Sequence, residues 1–158
     1  MALEITTVGA SVSYAVEVTA GTRPTSGYTK IPDVNTAPEI ALDVDALDAS
    51  NIEDLITRYV AGRQDPGGAK AFTLNHTEAA ITAWTTLCTA SATAKAAGKL
   101  TWIQYKYPSP ASKAFFFAID PVTPLGNAGI EQNSVSTLNA TFVVTKVEGW
   151  GSAATISS

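Results

Sequence analysis

Five carboxylates crowd a short stretch of this chain: Asp43, Asp45, Asp48, Glu53 and Asp54. Asp43 and Asp45 are two residues apart, which on a strand places them on one face, and paired carboxylates can do acid/base work. No His, Cys or Lys cluster accompanies them, so the pair reads as a solvated or partner-facing surface. The wider group lacks the alternating oxygen ligands and fixed glycine of an EF-hand and does not read as a calcium loop. His76 is the sole histidine, and no Ser or Cys nucleophile motif surrounds it; it reads as an ordinary residue where a strand meets a helix. Cys88 is the sole cysteine, so the chain has no internal disulfide, and it falls on a packed helix stripe where a thiol behaves as a small apolar group. The segment Gly62-Arg-Gln-Asp-Pro-Gly-Gly68 lacks the Lys-Ser/Thr ending and following helix of a phosphate loop and reads as a turn. Lys99, Lys106 and Lys113 lie near Trp102, Tyr105, Tyr107 and Phe115, a mixture that can hold single-stranded nucleic acid. The aromatics are more simply core, and the formal charge of −4 opposes nucleic-acid binding. The residues present no catalytic constellation, cofactor motif or metal set, and an enzyme is the least expected outcome.

The elements that would position these groups are mostly strands. Residues 10–18 alternate, with Val12, Tyr14, Val16 and Val18 on one face. A loop follows at 20–27, then a short extended piece, Tyr28 to Val34, in which Pro32 suggests an edge or bulge. Pro38 to Ala46 reads as an amphipathic strand, with Ile40, Leu42 and Val44 opposite Glu39, Asp43 and Asp45. A second strand, ending near Asn75, carries Phe72 and Leu74 on one face. Between the two, residues 46–69 read as one long irregular loop, and loops beyond about 12–15 residues are usually functional or disordered. This one carries Ile52, Leu55, Ile56, Tyr59 and Val60, side chains that a lone soluble domain has little reason to display. The sequence therefore predicts that they are buried against another subunit.

Residues 75–98 form the one convincing helix, with Asn75 and Glu78 as an Asn-led capping box and Gly98 as the stop. Ile81, Trp84, Leu87 and Cys88 recur at helical spacing, while the many Thr and Ser residues weaken intrinsic helicity. Helix formation should then depend on Trp84 and its neighbours packing on a sheet. Strands are expected over 100–107, 113–120 and 134–148, the second apolar on both faces and hence central. Residues 1–9 read as an arm and 149–158 as a tail. The sum is mainly β, α+β by count: a β-sandwich or rolled antiparallel sheet with one flanking helix, in a single domain spanning 1–158.

Only 15% of the residues are charged, against about 25% in ordinary soluble domains, so much of the surface is either hidden in an assembly or kept soluble by Thr, Ser and Asn. The first residues, MALEITTVG, do not read as a secretory signal, and no apolar run approaches the roughly 20 residues of a membrane span.

The order of these elements resembles the major tail tube proteins of long-tailed, siphovirus-like bacteriophages. The likeness lies in SYAVEVTAGTRPTSGYTKIPDVNTAPEIALDVDALDASNIEDL, in YVAGRQDPGGAKAFTLNHTEAAITAW and in NSVSTLNATFVVTKVEGW. It covers most of the chain, and the order of motifs carries it more than any one of them. The resemblance implies hexameric rings stacked into a hollow tail tube in the virion, the conduit through which duplex DNA passes without tight binding. Implied partners are other copies of the chain, a tape measure protein and the proteins at the tube's ends, with no membrane and no cofactor. Ile52, Leu55, Ile56, Tyr59 and Val60 would then lie between rings. Glu39, Asp43 and Asp45 would be candidates for an acidic channel wall; six copies at −4 each carry −24, a field that repels phosphate. Alternatives are a tube subunit of a contractile tail, a tail-like bacteriocin or a type VI secretion system, and a monomeric β-sandwich binding module with Trp102 and Tyr105 as candidate contacts.

Overall fold

The computed structural model describes residues 4–123 and 125–157. Among them, eleven strands and one helix follow in the order β1 (Ser11–Val16), β2 (Tyr28–Lys30), β3 (Val34–Thr36), β4 (Asp43–Asp48), β5 (Tyr59–Asp65), β6 (Ala69–Asn75), α1 (Glu78–Ala96), β7 (Thr101–Lys106), β8 (Lys113–Pro121), β9 (Gly126–Asn127), β10 (Thr137–Ser152) and β11 (Ile156–Ser157). Nine strands make one sheet in the order β11-β2-β1-β7-β8-β10-β6-β3, with β9 attached to β10. All pairings in it are antiparallel except β11 with β2. The protein is thus mainly β, a curled antiparallel sheet with one flanking helix.

The central strand β8 shows why this sequence curls. Phe117 and Ile119 point to one face and join Phe72, Leu74, Ile103, Leu138 and Phe142 in a core that Trp84, Leu87 and Cys88 of α1 close. Ala114, Phe116 and Ala118 point to the other face and pack with Ala15, Tyr28, Trp102 and Ala154. A strand apolar on both sides must be covered on both sides. Along β8, the register of β10 slips twice, between Val144 and Lys146 and between Val147 and Gly149. Such bulges add local twist, and Gly149 adopts φ +94°, a backbone region that side chains with a Cβ avoid.

Three expectations change on the structure. The helix is capped by Thr77, not Asn75: the Thr77 hydroxyl accepts from the Ala80 amide at 3.1 Å. Asn75 instead stays in β6, paired with Thr137, and its side chain accepts from Asn35. Residues 149–157 are not a tail. Gly149–Ser152 continues β10, and the chain then turns so that Ala154 is buried and Ile156 pairs with Tyr28. The buried Gln104 side chain makes that return possible by accepting from the Ala154 amide at 2.7 Å. Residue 158 of that segment, like residues 1–3 of the expected arm, lies outside the described residues; residues 4–9 are exposed and belong to no strand.

The third change concerns 38–69. Residues 38–42 are not strand: Ile40 packs on the core and the Pro38 carbonyl accepts from the Tyr105 hydroxyl at 3.0 Å, which pulls the segment across the sheet. The irregular loop is in large part a β-hairpin, in which β4 and β5 pair with each other and with no other strand. β4 and β5 pair the backbone groups that face each other, and the exposed outer edges are left to water, so the excursion needs no other sheet.

Candidate functional site

Six residues of β4 at about 3.4 Å each carry the hairpin roughly 20 Å from its base. Every residue of β4 is exposed, and Leu47 opposite Val60 and Asp48 opposite Tyr59 are its cross-strand pairs nearest the tip. Gly62 allows the two strands to close, since a Cβ there would stand 3.0 Å from both the Asp45 carbonyl oxygen and Leu47 Cγ.

The polar groups of the tip bond one another at the surface: the Ser50 amide donates to Asp48, the Asn51 amide to Asp54 at 2.8 Å, and the Glu53 amide to Asn51 at 2.9 Å. The Arg58 guanidinium donates to Asp54 at 2.9 Å and reaches the Ala49 carbonyl, while the Arg58 amide donates to the Ser50 hydroxyl. The Ser50 hydrogen bonds hold the Asp48 carboxyl below its ordinary range. Beside these bonded polar groups Ile52 and Leu55 stand fully exposed, Ile56 nearly so, and Tyr59 and Val60 are 64% and 52% exposed. The five side chains expected on a protruding segment are therefore together and uncovered in the single chain. Leu42, Val44 and Leu47 are exposed beside them; the alternation that sets Leu42 and Val44 on one aliphatic face does not bury them in the single chain.

Glu39, Asp43 and Asp45 are exposed around the hairpin's base. Asp43 faces Asp65 directly across the two strands, a like-charge pair that weakens an isolated hairpin. Asp65, whose carboxylate also accepts from the Gly67 amide, was missed in sequence because its partner is set by register alone.

Glu17 and Arg23 also went unnoticed. Glu17 is 2% exposed and accepts from the Trp102 indole at 2.9 Å, the Leu100 amide at 3.0 Å and the Gly21 amide at 3.1 Å. Burial pushes its carboxyl up, but these three bonds, with Lys146 nearby, outweigh burial and leave it below the ordinary value. The Arg23 guanidinium lies 3.8 Å above the Phe116 ring and its Nε is 3.0 Å from Glu148, an ion pair without the alignment of a hydrogen bond. Together they fasten the Gly21-Thr-Arg-Pro24 loop to the sheet, an internal role rather than a binding one.

The remaining candidates scatter. His76 is exposed and its Nδ1 lies 2.9 Å from the Ser136 hydroxyl, with no carboxylate bonded to the ring among the described residues. Burial pushes the Cys88 thiol up to about 11, too high for a ready nucleophile. Trp102 is buried, which removes it as a carbohydrate contact. Among the described residues no three His, Cys, Asp or Glu side chains gather as a metal site, and no helix is long and apolar enough to cross a membrane.

Among solved structures, a prophage assembly contains a similar fold. A chain of the anti-feeding prophage baseplate, determined by cryo-electron microscopy with 6-fold symmetrisation, superposes with a TM-score of 0.53 over 90% of this chain and 92% of that one, at 10% identity. The likeness is one of fold. No protein family and no curated protein matches the sequence.

Proposed function

We propose that this chain is a structural subunit of a phage-tail-like particle, and that its copies assemble as stacked hexameric rings into a tail tube through which DNA leaves. The observation that carries the reading is the projecting hairpin whose Ile52, Leu55 and Ile56 are exposed together while its polar groups bond one another. An isolated two-stranded hairpin is marginal in water, and a projecting apolar surface is characteristic of a protein–protein contact. A 6-fold symmetrised prophage assembly containing the same fold supports the setting and the ring number. The low charge of the chain supports a surface largely buried between copies. Glu39, Asp43 and Asp45 serve as part of the channel wall, where carboxylates repel phosphate and let duplex DNA slide. The tape measure and tube-end proteins are the remaining partners, and the work of the chain is structural rather than enzymatic.

A second reading is favoured by one particular: the similar chain belongs to a prophage baseplate. On that reading the protein serves the tube of a contractile tail or tail-like particle, and a sheath protein bound around the assembled tube distinguishes the two.

Negative-stain microscopy of the purified protein tests the proposal. Uniform hollow filaments or stacked rings are expected; a strictly monomeric sample across a wide concentration range overturns it.

A further inference from the structure

The hairpin tip presents a plug, and the surface around Tyr107 and Trp150 presents a socket. Tyr107 and Trp150 stand with ring centroids 6.0 Å apart, and Phe115 meets Trp150 edge-on at 5.3 Å. Trp150 is nevertheless 62% exposed. Against this ring pair lies a groove of about 430 Å³, lined by Ile5, Tyr107, Pro110, Ala111, Lys113 and Trp150 together with Ser112. Its walls are aromatic rings, proline and alanine, and Lys113 is the one charged residue lining it. The tip has the complementary makeup. Ile52, Leu55 and Ile56 project, and Glu53 sits among them, while the neighbouring Asp54 carboxylate is taken by Arg58. Neither Glu53 nor Lys113 joins an ion pair among the described residues.

We propose that the tip of one copy, residues 51–57, seats in the Tyr107–Trp150 groove of the next, with Leu55 and Ile56 against the rings and Glu53 beside Lys113. The proposal rests on the self-assembly reading above and names the surface that reading requires. An aliphatic anchor entering a small aromatic pocket with a charge pair at its rim has the anatomy of an interface hot spot. A larger groove of about 780 Å³ lies on the other side of Trp150, but Asp33 and Glu39 line it beside Lys30. Those carboxylates repel Glu53, so the smaller groove takes the tip. Plug and socket occupy different places on one surface, which makes the contact head-to-tail, the kind that closes into rings or runs on as a filament.

A mixing experiment tests the contact. Leu55→Asp removes the plug and leaves the socket; Trp150→Ala removes the socket and leaves the plug. Both positions are solvent-facing in the single chain, and circular dichroism checks that each variant folds. Alone, each variant loses the wild-type association by about tenfold or more. Mixed, an affinity-tagged Leu55→Asp chain retains untagged Trp150→Ala about tenfold better than it retains untagged Leu55→Asp. If Trp150→Ala fails to fold, the charges carry the test: Glu53→Lys or Lys113→Glu alone weakens association, and the two in one chain restore it. Wild-type assembly that neither substitution weakens, or a mixture that recovers nothing, overturns the docking while leaving self-assembly standing. A wild-type chain that never associates overturns both.

Discussion

The Trp102 indole donates to the Glu17 carboxylate at 2.9 Å across 85 positions of sequence, in a region from which water is excluded. With the Leu100 and Gly21 amides this gives the carboxylate three donors. Glu17→Gln leaves some of those donors facing an amide nitrogen and costs about 1–3 kcal/mol at neutral pH, measured by urea unfolding. The same contact sets an acid dependence. The folded carboxyl titrates below its ordinary value of 4.5, so its contribution is complete above that pH and fades as pH falls through the lower folded value. The substituted chain should show a flatter stability profile below pH 4.5. An unchanged profile would mean that other carboxylates set the acid limit.

Thr77 and Asn75 offer a direct test of where the helix begins. Thr77→Ala removes the hydroxyl that accepts from the Ala80 amide and donates to Asp33, and it costs about 1 kcal/mol. Asn75→Ala loses an exposed side-chain bond to Asn35 and should cost much less. Equal losses in denaturant unfolding would return the cap to Asn75.

Trp84 is 1% exposed, meets Phe72 edge-on at 6.2 Å and donates to the Val122 carbonyl. Trp84→Ala leaves a cavity between helix and sheet worth about 3–5 kcal/mol. That is much of the total stability of a domain of this size, so the variant should be partly unfolded by circular dichroism at 37 °C.

Gly62→Val separates the hairpin from the body. The added side chain meets the Asp45 carbonyl and Leu47, so the two strands must part, yet neither pairs with the main sheet. The unfolding midpoint of the body should stay within about 0.5 kcal/mol of wild type while filament formation is lost. A matching loss of stability would show that the hairpin supports the core.

Reversing Glu39, Asp43 and Asp45 to Lys tests the acidic wall. Assembled particles carrying the three changes should retain duplex DNA at low salt and release it as salt rises. Particles that pass DNA as before would place these residues away from the lumen.

Sequence made the main sheet legible where periodicity was strong. The two-sided apolar run of β8, the Phe72 and Leu74 face of β6 and Trp84, Leu87 and Cys88 of α1 pack as their spacing predicts, whereas Ile81 of the same stripe is exposed. It failed where tertiary contacts choose among local options. Asn75 and Thr77 are both good caps, and pairing of Asn75 with Thr137 decides between them. Gly149-Trp-Gly151 looks like the end of a fold, but the Gln104 side chain captures the backbone just beyond it. The start of β4 was legible by its alternation, but β5 was read as loop, because YVAGRQD is exposed and lacks the apolar/polar alternation of a half-buried strand. Of the candidate site, the apolar residues were visible by composition. The groove around Trp150 was not, since its lining comes from four separate stretches of the chain.

No side chain of β4, β5 or the turn between them joins either hydrophobic cluster, and the two strands pair with no other strand among the described residues. Exchanges of exposed side chains there are expected to leave the packing of the body as it is. New pairing specificities can then be written by exchanging one short ribbon while the framework stays as it is.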